Sequence, residues 1–226
     1  MCLPIIGVGM LLCNSLNLED LATMRIGIYS GTFDPIHEGH VLFVEVSAIQ
    51  FGLEKVLIIP ESKPRYKDSV EDVEHRRRMA GLATTDCVET DIDIIDVDDE
   101  PSHTFNGIIA KVHDLYPDDE YFVMMGSDVF RHIGSWGGRK DEDGTVVDVA
   151  DKIGFIVGIK SIKEVPELKE IAEGLSVNAR FMEAPAAGLS SRKIRERIAL
   201  GDEDDEAVYG LDDNVARYIE LEKLYR

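Results

Sequence analysis

The sequence predicts an α/β domain built on a doubly wound, mostly parallel sheet with helices on both faces. Strand-like and helix-like segments alternate along the chain, which is typical of repeated βα units with right-handed crossovers. Two of the strand-like segments, YFVMMG and KIGFIVGI, are continuous apolar runs, as expected of strands buried on both faces. No stretch rich in Pro, Gly or Ser divides the 226 residues, so they fit a single domain.

Each element follows from its local pattern. Apolar and β-branched runs predict strands, and apolar residues at helical spacing predict helices. In chain order, strands are predicted at 25–30, 55–60, 88–97, 121–126, 152–159 and 177–184, and helices at 39–50, 70–84, 102–116, 190–201 and 212–225. Long loops are expected at 60–69, 134–147 and 201–207.

The charge balance is strongly acidic. The chain has 44 Asp and Glu residues against 24 Lys and Arg residues, a formal charge of -20. A general affinity for nucleic acid or for an anionic membrane needs a basic face, so both partners are excluded as a class. A small anionic ligand is still compatible with this net charge. The Debye length at physiological salt is about 8 Å, so a local cluster of basic residues can determine the potential in its own pocket.

The three cysteines, Cys2, Cys13 and Cys87, form neither a paired framework nor a C-x-x-C motif. Their odd number indicates a reducing compartment, and we expect the cytoplasm.

The first 23 residues are expected to be an N-terminal extension outside the fold, with Met24 as a candidate start of the domain at 24–226. The apolar segment at 3–13 is too short to span a bilayer, and no Lys or Arg precedes Arg25. A signal peptide is the second alternative. A dinucleotide loop is the third, and it is weakened by Leu12 standing where a third glycine belongs.

The stretch SGTFDPIHEGH follows the first predicted strand. Asp34 and Pro35 predict a turn, and Gly31 has no Cβ to obstruct a ligand that approaches the backbone. A helix that begins near Glu38 directs its positive dipole end toward this turn, which suits an anion. The imidazoles of His37 and His40 can donate hydrogen bonds to the same anion. Two incidental histidines in a tight turn are the plainer alternative. A metal site lacks a third ligand at sensible spacing.

The ordered string Gly-Thr-Phe-Asp-Pro-Ile-His-x-Gly-His resembles the T/H-x-G-H signature of nucleotidyltransferases, and most closely that of bacterial nicotinate mononucleotide adenylyltransferases. The resemblance implies a Rossmann-like fold and a second motif of the form I-S-S-T-x-I-R near the C-terminus. LSSRKIRERI at 189–198 matches it at Ser190, Ser191, Ile194 and Arg195, while Arg192 replaces the usual threonine. The start of this helix, with its cations, is a second candidate anion site.

Three weaker matches lie between these motifs. The segment PESKPR matches at Lys63 and Pro64 but has Arg65 where histidine is usual. PSHTFNGI matches at Ser102 and Thr104 and departs at His103, Asn106 and Gly107. MGSDVFRHIGSW matches at Asp128 and Trp136. The family assigns the tryptophan to stacking on the pyridine ring; the alternative is a core tryptophan. In the helix predicted at 70–84, directly after PESKPR, the positions of His75 and Arg76 are explained equally well by a solvated helix face.

The resemblance implies adenylyl transfer from ATP to nicotinate mononucleotide, with Mg²⁺ arriving on ATP and no resident metal. The residues that it assigns are His37, His40 and Arg195 as catalytic; Ser30, Gly31, Thr32, Phe33, Gly39, Ser190, Ser191, Arg192 and Ile194 as ATP-binding; and Lys63, Thr104, Asp128 and Trp136 as mononucleotide-binding. The oligomeric state stays open, a homo-oligomer included.

Other readings remain. Nicotinamide mononucleotide is an alternative acceptor. Pantetheine-phosphate adenylyltransferases usually have threonine at the position of His37 and lack the loop around Trp136. Glycerol-phosphate-type cytidylyltransferases share both histidines but have a different C-terminal motif. A non-catalytic nucleotide-binding regulator is the alternative from another class, and it is weakened by the presence of both histidines and Arg195.

Overall fold

The structure, a computed structural model, describes residues 23–62, 64, 70–96, 105–135, 153–201 and 210–226. Its strands are β1 (Arg25–Gly31), β2 (Lys55–Pro60), β3 (Asp91–Ile94), β4 (Glu120–Gly126), β5 (Ile153–Ile159) and β6 (Asn178–Glu183). Its α-helices are α1 (Glu38–Phe51), α2 (Val73–Ala83), α3 (Phe105–Leu115), α4 (Ser127–Phe130), α5 (Val165–Leu175), α6 (Ser191–Leu200) and α7 (Asp213–Glu222).

The six strands form one sheet in the order β3-β2-β1-β4-β5-β6, and every described pair is parallel. The doubly wound α/β prediction is therefore confirmed. The strand order reverses between β1 and β4, and in such sheets ligands bind outside the carboxyl ends of the strands at this reversal. The edge formed by the ends of β1 and β4 is thus where a site is expected.

Both faces of the sheet are covered, because side chains alternate across each strand. Phe122 and Met124 of β4 face a core built with α1, α2, α6 and α7, whereas Tyr121 and Val123 face a core built with α3, α4 and α5. The central strands read as continuous apolar runs for this reason. No helix in the described part of the chain is long and apolar enough to cross a membrane.

Several boundaries differ from the prediction. The strand expected at 88–97 is confined to Asp91–Ile94, at the edge of the sheet beside β2. The helix expected from 70 begins at Val73, because the Asp72 carboxylate accepts a hydrogen bond from Glu74 N–H at 2.8 Å and caps the helix there. The long loops expected at 60–69, 134–147 and 201–207 fall mostly outside the described residues.

Helix α5 has no counterpart in the sequence-based prediction. Two parallel strands need a long crossover connection, and α5 is that connection between β5 and β6. Leu168 and Ala172 are its buried residues, one turn apart, and Pro166 lies in its first turn. Val165 and Ile171 pack beside them, so the apolar residues of α5 recur at helical spacing on one face, and the prediction overlooked a periodic signal that the sequence contains.

Candidate functional site

The turn between β1 and α1 lies at the carboxyl edge of the sheet. Phe33 is held in the left-handed region at φ 49, although it is not a glycine, and its ring is buried. A Cβ on Gly31 would lie 3.0 Å from the Phe33 ring, so the space that we had expected a ligand to use is filled by this ring. Unfavourable backbone of this kind persists only where the surroundings over-determine it, and it concentrates at functional sites.

The two histidines of the turn stack on each other. Their ring centroids are 3.7 Å apart with an interplanar angle of 25°. His40 Nδ1 accepts a hydrogen bond from the backbone N–H of His37 at 3.2 Å, so the proton of the neutral ring lies on Nε2. His37 is buried, and burial lowers the pKa of its imidazole to about 4. Burial therefore keeps the His37 ring neutral near pH 7.

Two buried polar atoms at this edge have no hydrogen-bond partner of good geometry among the described residues. They are Ser30 Oγ, at the end of β1, and His37 Nδ1. Buried polar atoms in native proteins are nearly always paired, so unpaired ones call for a ligand, a water or an ion. Their position beside His40 indicates a polar ligand at the end of β1.

The N-terminus of α1 is largely satisfied by the protein itself. The N–H of Glu38 donates to the carbonyl of Gly210 at 2.8 Å, and the N–H of His40 donates to the carbonyl of His37 at 2.8 Å. Gly39 is the exception in the first turn, since its N–H has no partner in the described ranges. A Cβ at Gly39 would lie 3.1 Å from the His37 ring, which explains the glycine by close packing.

The N-terminus of α6 is arranged differently. Its N-cap residue, Ser190, makes no side-chain hydrogen bond to the helix. The N–H groups of Ser191, Arg192 and Lys193 have no partner within the part of the chain that the structure describes, whereas Ile194 N–H already donates to the Ser190 carbonyl at 3.1 Å. Uncapped N–H groups and the helix dipole together favour an anion.

Two contacts bring the helix starts together. Ser191 Oγ donates to the carbonyl of Pro35 at 2.9 Å, across 156 residues of sequence. Arg195 Nη1 donates to the carbonyl of Asp34 at 2.6 Å. The two sequence motifs therefore lie side by side at the reversal of strand order.

Asp34 is a buried carboxylate at the centre of this junction. Its Oδ1 accepts hydrogen bonds from the Tyr225 hydroxyl at 2.8 Å and from Glu71 N–H at 3.3 Å, and its Oδ2 lies 3.6 Å from Arg195 Nη1. The predicted role of Asp34 in the turn is confirmed. Sequence reasoning missed its links to the end of the chain, since nothing in the local pattern joins residue 34 to residue 225.

Arg76 is almost completely buried, at 1% exposure, which contradicts the solvated helix face that we had allowed for it. Its guanidinium donates to the carbonyls of Thr32 and Glu61, both at 2.7 Å, and of Glu71 at 2.8 Å. A planar guanidinium can satisfy several fixed acceptors at once, which an ammonium group does less well. Arg76 therefore ties α2 to the turn before α1 and to the end of β2.

The other predicted residues take varied positions. Arg192 is exposed and pairs with Glu196 of its own helix at 2.8 Å, so in this state it is directed along α6. The side chain of Ile194 is buried in the core beneath α6. Asp128 is exposed at the start of α4, directly after β4, close enough to help raise the pKa of the Tyr29 phenol, which burial raises most. Lys63, Thr104 and Trp136 lie outside the described residues.

No group of three His, Cys, Asp or Glu side chains that could hold a metal ion occurs in the described ranges. Asp34, the buried carboxylate of the same turn, already accepts hydrogen bonds from Tyr225 and Glu71. The donor set at this edge therefore consists of imidazole, guanidinium, hydroxyl and amide groups, which fits phosphate oxygens better than a bare cation.

Comparison with solved structures bears out the fold. Plasmodium falciparum nicotinic acid mononucleotide adenylyltransferase complexed with APC has a TM-score of 0.70 and 17% identity, with 89% of this chain and 97% of that chain covered. A putative nicotinate-nucleotide adenylyltransferase from Vibrio parahaemolyticus has a TM-score of 0.60 and 15% identity, with 90% and 96% covered.

The family follows from sequence comparison. The model of the Cytidylyltransferase-like family matches residues 28–197. A probable nicotinate-nucleotide adenylyltransferase of Thermus thermophilus is 32% identical over 206 residues, which cover 90% of this chain and all of that protein. One of Desulfitobacterium hafniense is 31% identical over 205 residues, with 89% and 96% covered. The chain therefore belongs to the cytidylyltransferase-like family and, within it, to the nicotinate-nucleotide adenylyltransferases.

Proposed function

We propose that this chain transfers the adenylyl group of ATP to nicotinate mononucleotide in NAD biosynthesis. The 5′-phosphate oxygen of the mononucleotide attacks the α-phosphorus of ATP in line, the bond to the β-phosphate oxygen breaks, and pyrophosphate leaves. The product is nicotinate adenine dinucleotide. The attacking group is already an anion, so no proton has to be removed and no covalent enzyme intermediate is needed.

The observation that carries this proposal is the direct contact between the two helix starts, Ser191 Oγ on Pro35 O at 2.9 Å. It puts the stacked histidines of one motif and the uncapped amides of the other at one edge of the sheet. Phosphoryl transfer depends on positioning and on neutralising the charge that spreads over the phosphates. Hydrogen-bond donors from the β1–α1 turn and from the start of α6 can both position the phosphates and neutralise their charge.

The residues have distinct proposed roles. The Nε2–H of His40 donates to a phosphate oxygen on which charge develops in the transition state, and the buried, neutral His37 binds the nucleotide in the ground state. Arg195 and the amides after Ser190 hold the phosphates from the other side. Lys63, Thr104, Asp128 and Trp136 are proposed to bind the mononucleotide. The first three ATP-binding residues, Ser30, Gly31 and Thr32, shape the end of β1.

Mg²⁺ is proposed to arrive with ATP and to be held mostly by phosphate and water, which is how it is commonly bound in nucleotide sites. When bound, it neutralises phosphate charge. The described side chains supply hydrogen-bond donors around that charge and no carboxylate cluster to hold the ion.

A coupled pyrophosphate-release assay tests the reaction. ATP would be offered with nicotinate mononucleotide, nicotinamide mononucleotide or pantetheine phosphate, each at the same concentration. We expect turnover with the first to exceed that with the second, because donors arranged for a carboxylate are poorly paired by an amide. The proposal would be overturned if pantetheine phosphate were the only one of the three acceptors to support pyrophosphate release from ATP, or if none of them did.

We also propose that the domain comprises 24–226, in the cytoplasm. The variant that lacks residues 1–23 is expected to keep the kcat/KM and the melting temperature of the full chain, because the first described strand starts at Arg25. The measurement is steady-state kinetics with thermal unfolding on both proteins. A truncated protein that is insoluble or markedly less stable would show that the apolar segment at 3–13 packs on the domain.

A further inference from the structure

The last residues of the chain return to the β1–α1 turn. After α7 ends, Lys223 and Tyr225 both adopt left-handed backbone, at φ 56 and φ 64, and Leu224 between them is buried in the core. Non-glycine residues are disfavoured in this region, so two in three residues need contacts that hold them. Lys223 is the C-cap of α7 and is held by hydrogen bonds to the end of that helix, whereas the contacts of Tyr225 lie on Asp34 and on the loop before α2.

Tyr225 links the C-terminal segment to the β1–α1 turn and to the loop before α2 through two hydrogen bonds. Its hydroxyl donates to Asp34 Oδ1 at 2.8 Å, and its backbone N–H donates to Glu71 Oε1 at 3.4 Å. Burial, and then the Asp34 carboxylate, raise the pKa of the Tyr225 phenol, so the hydroxyl stays protonated and remains a donor. The hydroxyl thus occupies Oδ1 of Asp34, whereas Oδ2 is the oxygen that lies 3.6 Å from Arg195.

Arg195 has two acceptors on the same residue. Its Nη1 donates to the Asp34 carbonyl at 2.6 Å, while the Asp34 carboxylate oxygen Oδ2 lies 3.6 Å away, beyond the distance of a good hydrogen bond. The carbonyl is a neutral acceptor that orients the guanidinium without cancelling its charge. A closer, bidentate pair with the carboxylate would compete with a phosphate for the same donors.

We propose that Tyr225 is a positioning residue that keeps the Asp34 carboxylate from closing the 3.6 Å gap to a direct hydrogen bond with Arg195, so that the Arg195 guanidinium remains available to substrate phosphates. This inference rests on the proposed phosphate-binding role of Arg195. Without the hydroxyl, Oδ1 loses its strongest donor, and the carboxylate rotates toward the nearest cation, which is Arg195. The phosphates must then compete with a buried carboxylate.

The chain offers a matched control on the same C-terminal segment. The Tyr218 hydroxyl lies 2.8 Å from His75 Nδ1, and it is not among the hydrogen-bond donors to Asp34 that the described residues supply. Tyr225→Phe and Tyr218→Phe each delete one hydroxyl that bridges the C-terminus to another part of the fold. A general loosening of the C-terminus would affect both variants, whereas the proposed role affects only the first.

The test is steady-state kinetics and ATP titration calorimetry on four variants: Tyr225→Phe, Tyr218→Phe, Arg195→Ala and the double variant Tyr225→Phe/Arg195→Ala. We expect Tyr225→Phe to weaken ATP binding and to lower kcat/KM about tenfold, a size typical of coupling within one polar network. Tyr218→Phe should change neither. In the Arg195→Ala background, the additional loss on removing the Tyr225 hydroxyl should disappear.

The outcomes separate the two proposals. Near-normal kcat/KM for Arg195→Ala would overturn its phosphate-binding role, and the present inference with it. A large effect of Arg195→Ala together with an equal loss from Tyr225→Phe in both backgrounds would make Tyr225 merely structural. If Tyr225→Phe does not fold, Asp34→Asn serves instead, because it keeps an acceptor for the hydroxyl and removes the competing charge. ATP affinity that is equal or higher supports the inference, and a tenfold loss overturns it.

Discussion

Helices α1 and α6 both begin at the carboxyl edge of the sheet, but only α1 has an N-terminus that the described residues largely satisfy. In α1, the carbonyl of Gly210 and the imidazole of His40 bond the backbone around the N-cap. In α6, the side chain of Ser190 caps nothing, and three N–H groups have no partner among the described residues. The braced helix start holds two side chains at fixed positions, and the open one offers backbone donors to an anion.

This difference assigns different work to the two motifs. The capping contacts of α1 fix the ring of His40 and its tautomer, so the Nε2–H group of His40 is a preorganised hydrogen-bond donor. At α6, binding relies on N–H groups that an incoming anion must cap, so affinity for phosphate is the expected consequence. Variants that weaken the contacts around the β1–α1 turn, and variants at the N-terminus of α6, separate the two roles.

The largest effect is expected from removing Arg76, whose buried guanidinium holds the turn before α1. Arg76→Met should lower the free energy of unfolding by about 3–5 kcal/mol, because it leaves buried carbonyls of three residues without their donor. Urea unfolding would measure it. Arg78→Met, on the exposed side of the same helix, should stay within about 0.5 kcal/mol of the parent protein. Equal losses from the two substitutions would contradict the role given to Arg76.

The second effect concerns pH. The pKa of His37 is lowered to about 4 in the folded protein from an ordinary value of 6.5, so the unfolded chain binds more protons between these values. Stability should therefore fall as the pH falls from 6.5 toward 4, by about 2 kcal/mol from this group between pH 7 and 5. We expect His37→Asn to lose correspondingly less stability over this interval in urea unfolding. Parallel pH profiles for the two proteins would show that His37 titrates normally.

A smaller effect distinguishes the two serines of α6. Ser191→Ala should cost about 1 kcal/mol of stability, since it removes the hydrogen bond to Pro35. Ser190→Ala should leave stability within about 0.5 kcal/mol, because its side chain caps nothing in this structure. We expect Ser190→Ala nevertheless to weaken ATP binding in calorimetry. Unchanged ATP affinity, with stability also unchanged, would remove Ser190 from the site.

Much of this comparison could be predicted from the sequence, because the signals are local. The order Gly-Thr-Phe-Asp-Pro-Ile-His-x-Gly-His places a turn and a helix start, and the apolar run of β4 predicts a buried strand. The start of α6 follows from Ser190 and Ser191, which are good N-cap residues before a helical pattern, but the sequence did not predict that the Ser190 side chain leaves the helix uncapped. The strand order then brings the two helix starts to one edge.

The bracing residues could not be predicted in the same way. Arg76 lies in the polar string EHRRR, which has the composition of a solvated helix face, and its acceptors are carbonyls from three separate places in the chain. Tyr225 bonds a residue 191 positions earlier. Such contacts depend on tertiary geometry and leave no periodic trace. The stacking of His37 on His40 likewise follows from the cap geometry rather than from residue spacing.

The most direct test of the braced donor compares two amide substitutions of His40. The amide group of asparagine lies near the position of Nδ1 and can replace the capping acceptor, whereas that of glutamine lies near Nε2 and can replace the donor. If the Nε2–H donates to charge that develops in the transition state, its loss costs about 10²–10³ in kcat. We therefore predict that His40→Asn stays folded and loses that factor with little change in ATP affinity.

His40→Gln should retain more activity than His40→Asn, even though it is the poorer cap and the less stable of the two variants. Both must be shown to be folded by thermal unfolding before kcat is measured under saturating ATP and mononucleotide. Higher kcat for the glutamine variant, with higher stability for the asparagine variant, is the result that the account predicts. A folded His40→Asn protein with near-normal kcat would contradict it.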